Sequence, residues 1–184
     1  CAATGATVEP VPVLDSGDID LDALDGMLDE RVKLVALNHV SNAIGTVNPV
    51  HDIIRRAHAV GAKVLVDGAQ SVAHWPVDVQ ALDCDFYTFS GHKMYAPSGV
   101  GGLYGKYDVL KEMPPYVTGG DMIRQVTIEK TLYADPPARF EAGTPAITQV
   151  MGLGAAVDYL QEIGLDKIAE YEHALLEYGT RLLS

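Results

Sequence analysis

Basic residues are in short supply. Thirteen Lys and Arg stand against 25 Asp and Glu, a net charge of −12. Nucleic acids and anionic membrane surfaces are bound through basic patches, so this balance argues against both as partners. It does not argue against one small phosphate, which needs only a few local donors. Cysteine is scarcer still, with Cys1 and Cys84 alone. That excludes a disulfide framework and points to a reducing compartment, the cytoplasm. No apolar run approaches the ~18 residues of a membrane span. The first residues, Cys1 to Thr7, lack the basic and apolar segments of a signal peptide. Internal repeats and low-complexity tracts are missing as well. The histidines at 39, 51, 58, 74, 92 and 173 have no paired-ligand spacing with the cysteines, so no metal is expected. His51 and His58 can share a helix face, and a solvated face is the simpler reading. There is no initiator Met, and the chain stops at Ser184 inside a helical pattern; both ends read as cuts within a longer protein.

What is present has the periodicity of a globular α/β domain. Val8–Val13 is a β-type run interrupted by prolines. Leu21, Leu24, Met27 and Leu28 recur at helical spacing, with acids filling the first turns. Val32–Leu37 reads as a buried strand. Asn48-Pro49 reads as a helix start, with Asn as N-cap and Pro at the first helical position. Val50, Ile53, Ile54, Ala57 and Val60 then share one face, and Gly61 ends the helix. Val64–Val66 runs to Asp67, Phe86–Phe89 runs to Ser90, and Gly101–Tyr104 follows a Pro97/Gly99 turn. Residues 114–120 read as a loop and 133–147 as irregular. Thr148 is expected to cap a helix with Val150, Leu153, Val157 and Leu160 on one face, stopped by Gly164. Asp166 is expected to open a last helix carrying Ile168, Leu175 and Leu182. Strand and helix in alternation predict a largely parallel sheet flanked by helices.

In such sheets ligands gather beyond the carboxyl ends of the strands. Three strands end in polar residues: Asn38-His39-Val40-Ser41-Asn42, Asp67-Gly68-Ala69-Gln70 and Ser90-Gly91-His92-Lys93. If the strands are parallel neighbours, one rim holds a carboxylate, amides, a hydroxyl, an imidazole and an amine. Pyridoxal phosphate (PLP) needs an amine to form its Schiff base and a carboxylate to keep its ring nitrogen protonated. It also needs donors for a ring hydroxyl and a phosphate, which Gln70, Ser90 and His92 can supply. Taken singly, Asp67 is equally a turn residue, Gln70 a surface residue, Ser90 to His92 a plain turn and Lys93 a solvated cation. The weight lies in the set. Gly99-Val100-Gly101-Gly102 is not GxGxxG and precedes a strand, so it reads as a tight turn rather than a nucleotide loop.

The stretch VLVDGAQSVAHWPVDVQALDCDFYTFSGHKMYAPSGVGGLYGK (64–106) resembles the core of the class V aminotransferase superfamily. NHVSNAIGTVNP (38–49), EMPPYVTGGDMI (112–123) and RFEAGTP (139–145) resemble its group II cysteine desulfurases in particular. The resemblance covers nearly the whole chain. It implies a fold-type I PLP-dependent transferase: a PLP-binding large domain over 1–147 whose N-terminal part is missing. Residues 148–184 would be helices leading into a truncated C-terminal small domain.

The resemblance also implies roles. Lys93 holds the cofactor, Asp67 pairs with the pyridine nitrogen, Gln70 contacts the ring hydroxyl, and Ser90 and His92 bind phosphate. Asn42 lies near the substrate carboxylate, and Thr144 reaches the phosphate of the neighbouring subunit in a homodimer. L-cysteine would be converted to L-alanine, with sulfur passing through an enzyme persulfide to an acceptor protein; selenocysteine is a second candidate substrate. The family's nucleophilic Cys and carboxylate-binding Arg lie beyond Ser184, and its ring-stacking His and a phosphate-binding Thr precede Cys1. Cys84, in the sequence LDCDF at a strand start, reads as a buried structural residue. Three other chemistries of the same superfamily (a selenocysteine lyase, an aminotransferase and an epimerase) stay open, as does a non-catalytic fold-type I domain.

Overall fold

A computed structural model of the chain describes residues 4–183. Four strands, β1 (Leu34–Asn38), β2 (Lys63–Asp67), β3 (Phe86–Ser90) and β4 (Gly101–Gly105), form one sheet in the order β1-β2-β3-β4. β1 and β2 pair in parallel, as do β2 and β3. Parallel neighbours need a long crossover, which helix α2 (Val50–Ala59) supplies between the first two. Residues 91–100 separate β3 from β4 without a crossover helix, and that pair is antiparallel. The expected parallel-dominated α/β sheet is therefore what the chain forms.

One face of the sheet carries the main core. Val50, Ile54 and Ala57 of α2 pack on Val64, Val66 and Tyr87, with Leu82 and Cys84 completing the cluster. Gly61, at φ +80°, ends α2 in the left-handed region open to glycine. A second apolar cluster joins Ala73, Met94 and Leu160, with Phe89, Leu153, Val157 and Ile168 against it. It ties helices α5 (Ile147–Ile163) and α6 (Leu165–Leu183) to the segments that follow β2 and β3. The helical flanking is one-sided among the described residues. Leu34 and Leu103, on the opposite face, are 51% and 56% exposed.

Several local expectations need correction. Asn48 does not cap α2. Pro49 is the capping position, and the Asn48 amide donates instead to the Asn38 carbonyl at 2.8 Å and its side-chain oxygen at 2.7 Å. Asn48 is buried, and these bonds keep its amide from being left unpaired there. Thr148 lies inside α5, which starts at Ile147 without a side-chain cap. The buried face of α5 centres on Ala156 and Leu160, and Val150 is exposed, as are Leu175 and Leu182 on α6. The hairpin β5 (Ile123–Val126) and β6 (Thr131–Tyr133), and the short helices α3 (Val79–Leu82) and α4 (Tyr107–Glu112), had no legible period. Helix α1 (Leu21–Met27) is capped by Asp20, which accepts from the Ala23 amide. The β-type run at Val8–Val13 contributes only a bridge between Val13 and Ile19. Cys84 is buried as expected, and burial pushes its thiol up; Cys1 lies outside the described residues. No helix among them is long and apolar enough to cross a membrane.

His58 is not the solvated residue its helix position suggested. Its Nε2 lies 2.8 Å from Asp85 Oδ2 at the amino end of the sheet. Asp85 is 1% exposed and also accepts from the Val64 amide at 2.8 Å, with the Lys63 ammonium 3.2 Å away. Burial pushes the Asp85 carboxyl up, but the bonds from His58, Val64 and Lys63 outweigh it and hold it below the usual range. Asp85→Ala would leave the Lys63 ammonium, the His58 ring nitrogen and the Val64 amide without their shared partner, at a cost of about 3 kcal/mol in urea unfolding near pH 7. The depressed folded-state pKa fixes the sign. The contribution is complete above the unfolded carboxyl's ~3.9 and disappears as pH falls through the lower folded value. The gap between wild type and Asp85→Ala should therefore close in acid; a gap that does not depend on pH would refute the ionic account.

Candidate functional site

Sheet register assembles the site. Asn38 pairs with Asp67, and Asp67 with Thr88, so the carboxyl ends of β1, β2 and β3 lie side by side. Because side chains alternate along a strand, Asn38, Asp67, Thr88 and Ser90 share one face. Asp67 is exposed at the end of β2, and its Oδ1 accepts from the Ala69 amide at 2.9 Å. Its Oδ2 has no partner among the described residues. Gln70 follows in a turn, half-buried, its side chain likewise without a partner among them.

Ser90 ends β3, and its hydroxyl lies 2.9 Å from Nδ1 of the exposed His92. His92 and Lys93 occupy a 3-10 turn, Gly91–Met94. Lys93 is exposed and makes no hydrogen bond or ion pair among the described residues. Its neighbour Met94 is buried in the second apolar cluster together with Ala73, three residues after Gln70. One buried cluster thus anchors both the turn after Asp67 and the turn that carries Lys93.

The sequence-predicted set is only partly gathered. Asp67, Gln70, Ser90, His92 and Lys93 stand on or just beyond adjoining strand ends. Asn42 is exposed in the turn after β1, where the Ser41 hydroxyl accepts from the Ala43 and Ile44 amides, 3.3 Å each. Thr144 is exposed in the loop before α5 and makes no hydrogen bond to any of these residues. That loop is held elsewhere: the Gly143 amide donates to the Gly120 carbonyl at 2.9 Å, so two of the three stretches that resemble group II desulfurases, 112–123 and 139–145, meet. No cluster of metal-ligating side chains occurs among the described residues. Two shallow surface concavities, beside Tyr133 and Arg139 and beside Asp25 and Arg56, include no residue of the rim.

Sequence reading missed a buried polar chain behind the rim. Ser71 Oγ donates to the Gly68 carbonyl at 3.0 Å and lies 2.7 Å from the Tyr87 hydroxyl. That hydroxyl lies 3.0 Å from His39 Nδ1. All three side chains are buried. With the Ser71 proton on the Gly68 carbonyl, Ser71 accepts from Tyr87, and the Tyr87 oxygen then accepts from an Nδ1–H of His39. Burial pushes the Tyr87 phenol up, which keeps it an O–H donor. Burial, then the nearby His51, pushes His39 down toward the neutral ring. The signal for this chain was available only as residue types, since strand alternation puts Leu37, His39 and Tyr87 on the core face without saying that they meet.

Comparison with known proteins gives these residues a context. The family profile "Aminotransferase class-V" matches residues 1–184. A curated cysteine desulfurase of Dickeya dadantii is 56% identical over 183 residues, which is 99% of this chain and 44% of that protein. The chain spans less than half the length of the curated relatives it matches. An apo structure of a cysteine desulfurase from Thermococcus onnurineus superposes with a TM-score of 0.90 at 38% identity, over 96% of this chain and 44% of that one. A mutant of C-DES with glycine covalently linked to its PLP cofactor superposes with a TM-score of 0.73 at 34% identity, over 84% of this chain and 42% of that one.

The buried chain predicts that His39 resists protonation. His39 should keep the nitrogen shifts of a neutral Nδ1–H ring as pH falls below the ordinary ~6.5. Its folded pKa is depressed, so its stabilising contribution is full above that value and is lost as pH falls through the folded one. Protonation of His39 near pH 6.5, or a proton on Nε2 alone, would contradict the assigned directions.

Proposed function

The chain belongs to the aminotransferase class-V family, and from that premise we propose that the protein is a PLP-dependent cysteine desulfurase. It would convert L-cysteine to L-alanine and leave the sulfur on an enzyme thiol, for delivery to an acceptor protein. The observation that carries this is the convergence of Asp67, Ser90, His92 and Lys93 on adjoining strand ends, in a chain 56% identical to a cysteine desulfurase.

The donor set fits the cofactor. Asp67 has one carboxylate oxygen steadied by Ala69 and the other free, as a partner for a protonated ring nitrogen would need. Gln70 has an uncommitted amide for the ring hydroxyl. Ser90 and His92, already joined, present a hydroxyl and an imidazole to a phosphate. Lys93 offers an exposed amine with no competing carboxylate. When bound, PLP supplies an electron sink for the pair released on loss of the substrate α-proton.

The chain's residues would do the rest. Lys93 Nζ would hold the cofactor and then take up the α-proton. Asp67 would keep the ring nitrogen charged, and Asn42 would orient the substrate carboxylate. Thr144 would complete the phosphate site of a neighbouring subunit, which makes the working unit a homodimer. Residues 1–147 would be PLP-binding large domain and 148–184 the way into the small domain, the whole working in the cytoplasm. The acceptor thiol is not Cys84, which is buried at the opposite end of β3 with its pKa raised. A reactive thiol needs exposure and an electropositive setting.

Three substitutions in the full-length protein test this. Borohydride reduction of the PLP-loaded enzyme should label Lys93, and Lys93→Ala should abolish labelling; label on another lysine would overturn the assignment. Asp67→Asn should retain PLP yet lower alanine formation from L-cysteine at least ~100-fold. Cys84→Ser should leave alanine and sulfide formation unchanged. Pyruvate in place of alanine would place the protein among other chemistries of the family.

A further inference from the structure

Asp67 can act on a ring nitrogen only if its Cα–Cβ bond points the right way, and the backbone around it is held from behind. The Asp67 carbonyl accepts from the His39 amide at 2.8 Å. The next residue is held at both ends, the Gly68 amide donating to the Thr88 carbonyl at 2.8 Å and the Gly68 carbonyl accepting from Ser71 Oγ and from the Ser71 and Val72 amides. Gly68 itself lies against the Tyr87 ring. A Cβ there would come within 2.0 Å of it, so no other residue can turn the chain at this point. The hydrogen bonds close a ring, from His39 N–H to Asp67, through Gly68 to Ser71 and Tyr87, and back to His39 Nδ1. Alternation along β1 and β3 puts His39 and Tyr87 on the face opposite the Asp67 side chain.

We propose that Tyr87, with Ser71 and His39 at its two ends, is a positioning residue that aims the Asp67 carboxylate. The inference rests on the reading of Asp67 as the partner of the PLP ring nitrogen. Tyr87 is buried on the face opposite the Asp67 side chain, behind the rim. Its hydroxyl joins Ser71, which holds the Gly68 carbonyl, to His39, whose amide holds the Asp67 carbonyl. Its loss leaves the Nδ1–H of His39 and an acceptor site of Ser71 unpaired in a buried place, and the turn relaxes to find other partners. Active-site geometry tolerates little such drift.

The test uses full-length protein loaded with PLP, with Asp67→Asn as reference. Tyr87→Phe keeps the ring that packs on Gly68 and removes only the hydroxyl. It is expected to lower kcat for L-cysteine about tenfold with KM within about twofold. It should also move the pH midpoint of the cofactor's visible absorbance in the direction that Asp67→Asn moves it, a signal that a merely structural role would leave alone. His39→Leu should do the same. His39→Asn, whose amide N–H can stand in for Nδ1–H, should keep the wild-type midpoint. If Tyr87→Phe fails to fold, Ser71→Ala carries the same expectation from the other end of the chain. A wild-type midpoint and kcat in Tyr87→Phe, beside a shifted Asp67→Asn, would overturn the positioning role and leave Asp67 its own. An unshifted Asp67→Asn would remove the reading of Asp67 itself.

Discussion

Everything the site can do depends on the parallel pairing of β1, β2 and β3. Leu65 opposite Phe86 and Leu37 opposite Val66 bring three carboxyl strand ends to one edge. Residues 38, 67 and 90, far apart in sequence, become neighbours through that register alone. A slip of one residue would turn Asp67 toward the core and Val66 toward solvent, so burial of Val64 and Val66 holds the carboxylate on the outer face. The apolar core therefore specifies the polar rim.

The two ends of the sheet divide the labour. At the amino end, Asp85 is buried against His58, Lys63 and the Val64 amide, contacts that tie β2 and β3 to α2. At the carboxyl end, Lys93, Gln70 and one oxygen of Asp67 are left without partners among the described residues. Charged and amide groups that are exposed and uncommitted, yet mounted on rigid elements, are poised for a ligand. The rigidity comes from underneath, through Met94 and Ala73 in one apolar cluster and through the ring of hydrogen bonds around Gly68.

Much of this was legible in the sequence, for identifiable reasons. The strands ending at Asn38, Asp67 and Ser90 are short apolar runs followed by polar residues, and α2 shows a full helical period with a glycine stop. The rim residues followed from that punctuation. What escaped was long-range. Nothing local tells Asn48 to bond Asn38 rather than cap α2, or tells His58 that Asp85 lies beneath it. The hairpin at Ile123–Tyr133 is too short and too exposed to leave a period. Of the apolar residues that periodicity placed on α5 and α6, Leu153, Val157, Leu160 and Ile168 pack in the second cluster, while Val150, Leu175 and Leu182 are exposed. Tyr87 looked like one more strand aromatic, because its part depends on partners 16 and 48 residues away.

The central claim is that the strand-end rim is a PLP site with Lys93 as its amine. A crystal structure of the full-length protein with PLP tests it most directly. The account predicts continuous density from Lys93 Nζ to the cofactor, the Asp67 carboxylate within hydrogen-bond reach of the ring nitrogen, and the phosphate beside Ser90 and His92. Cofactor density joined to a different lysine, or a ring nitrogen facing away from Asp67, would contradict it.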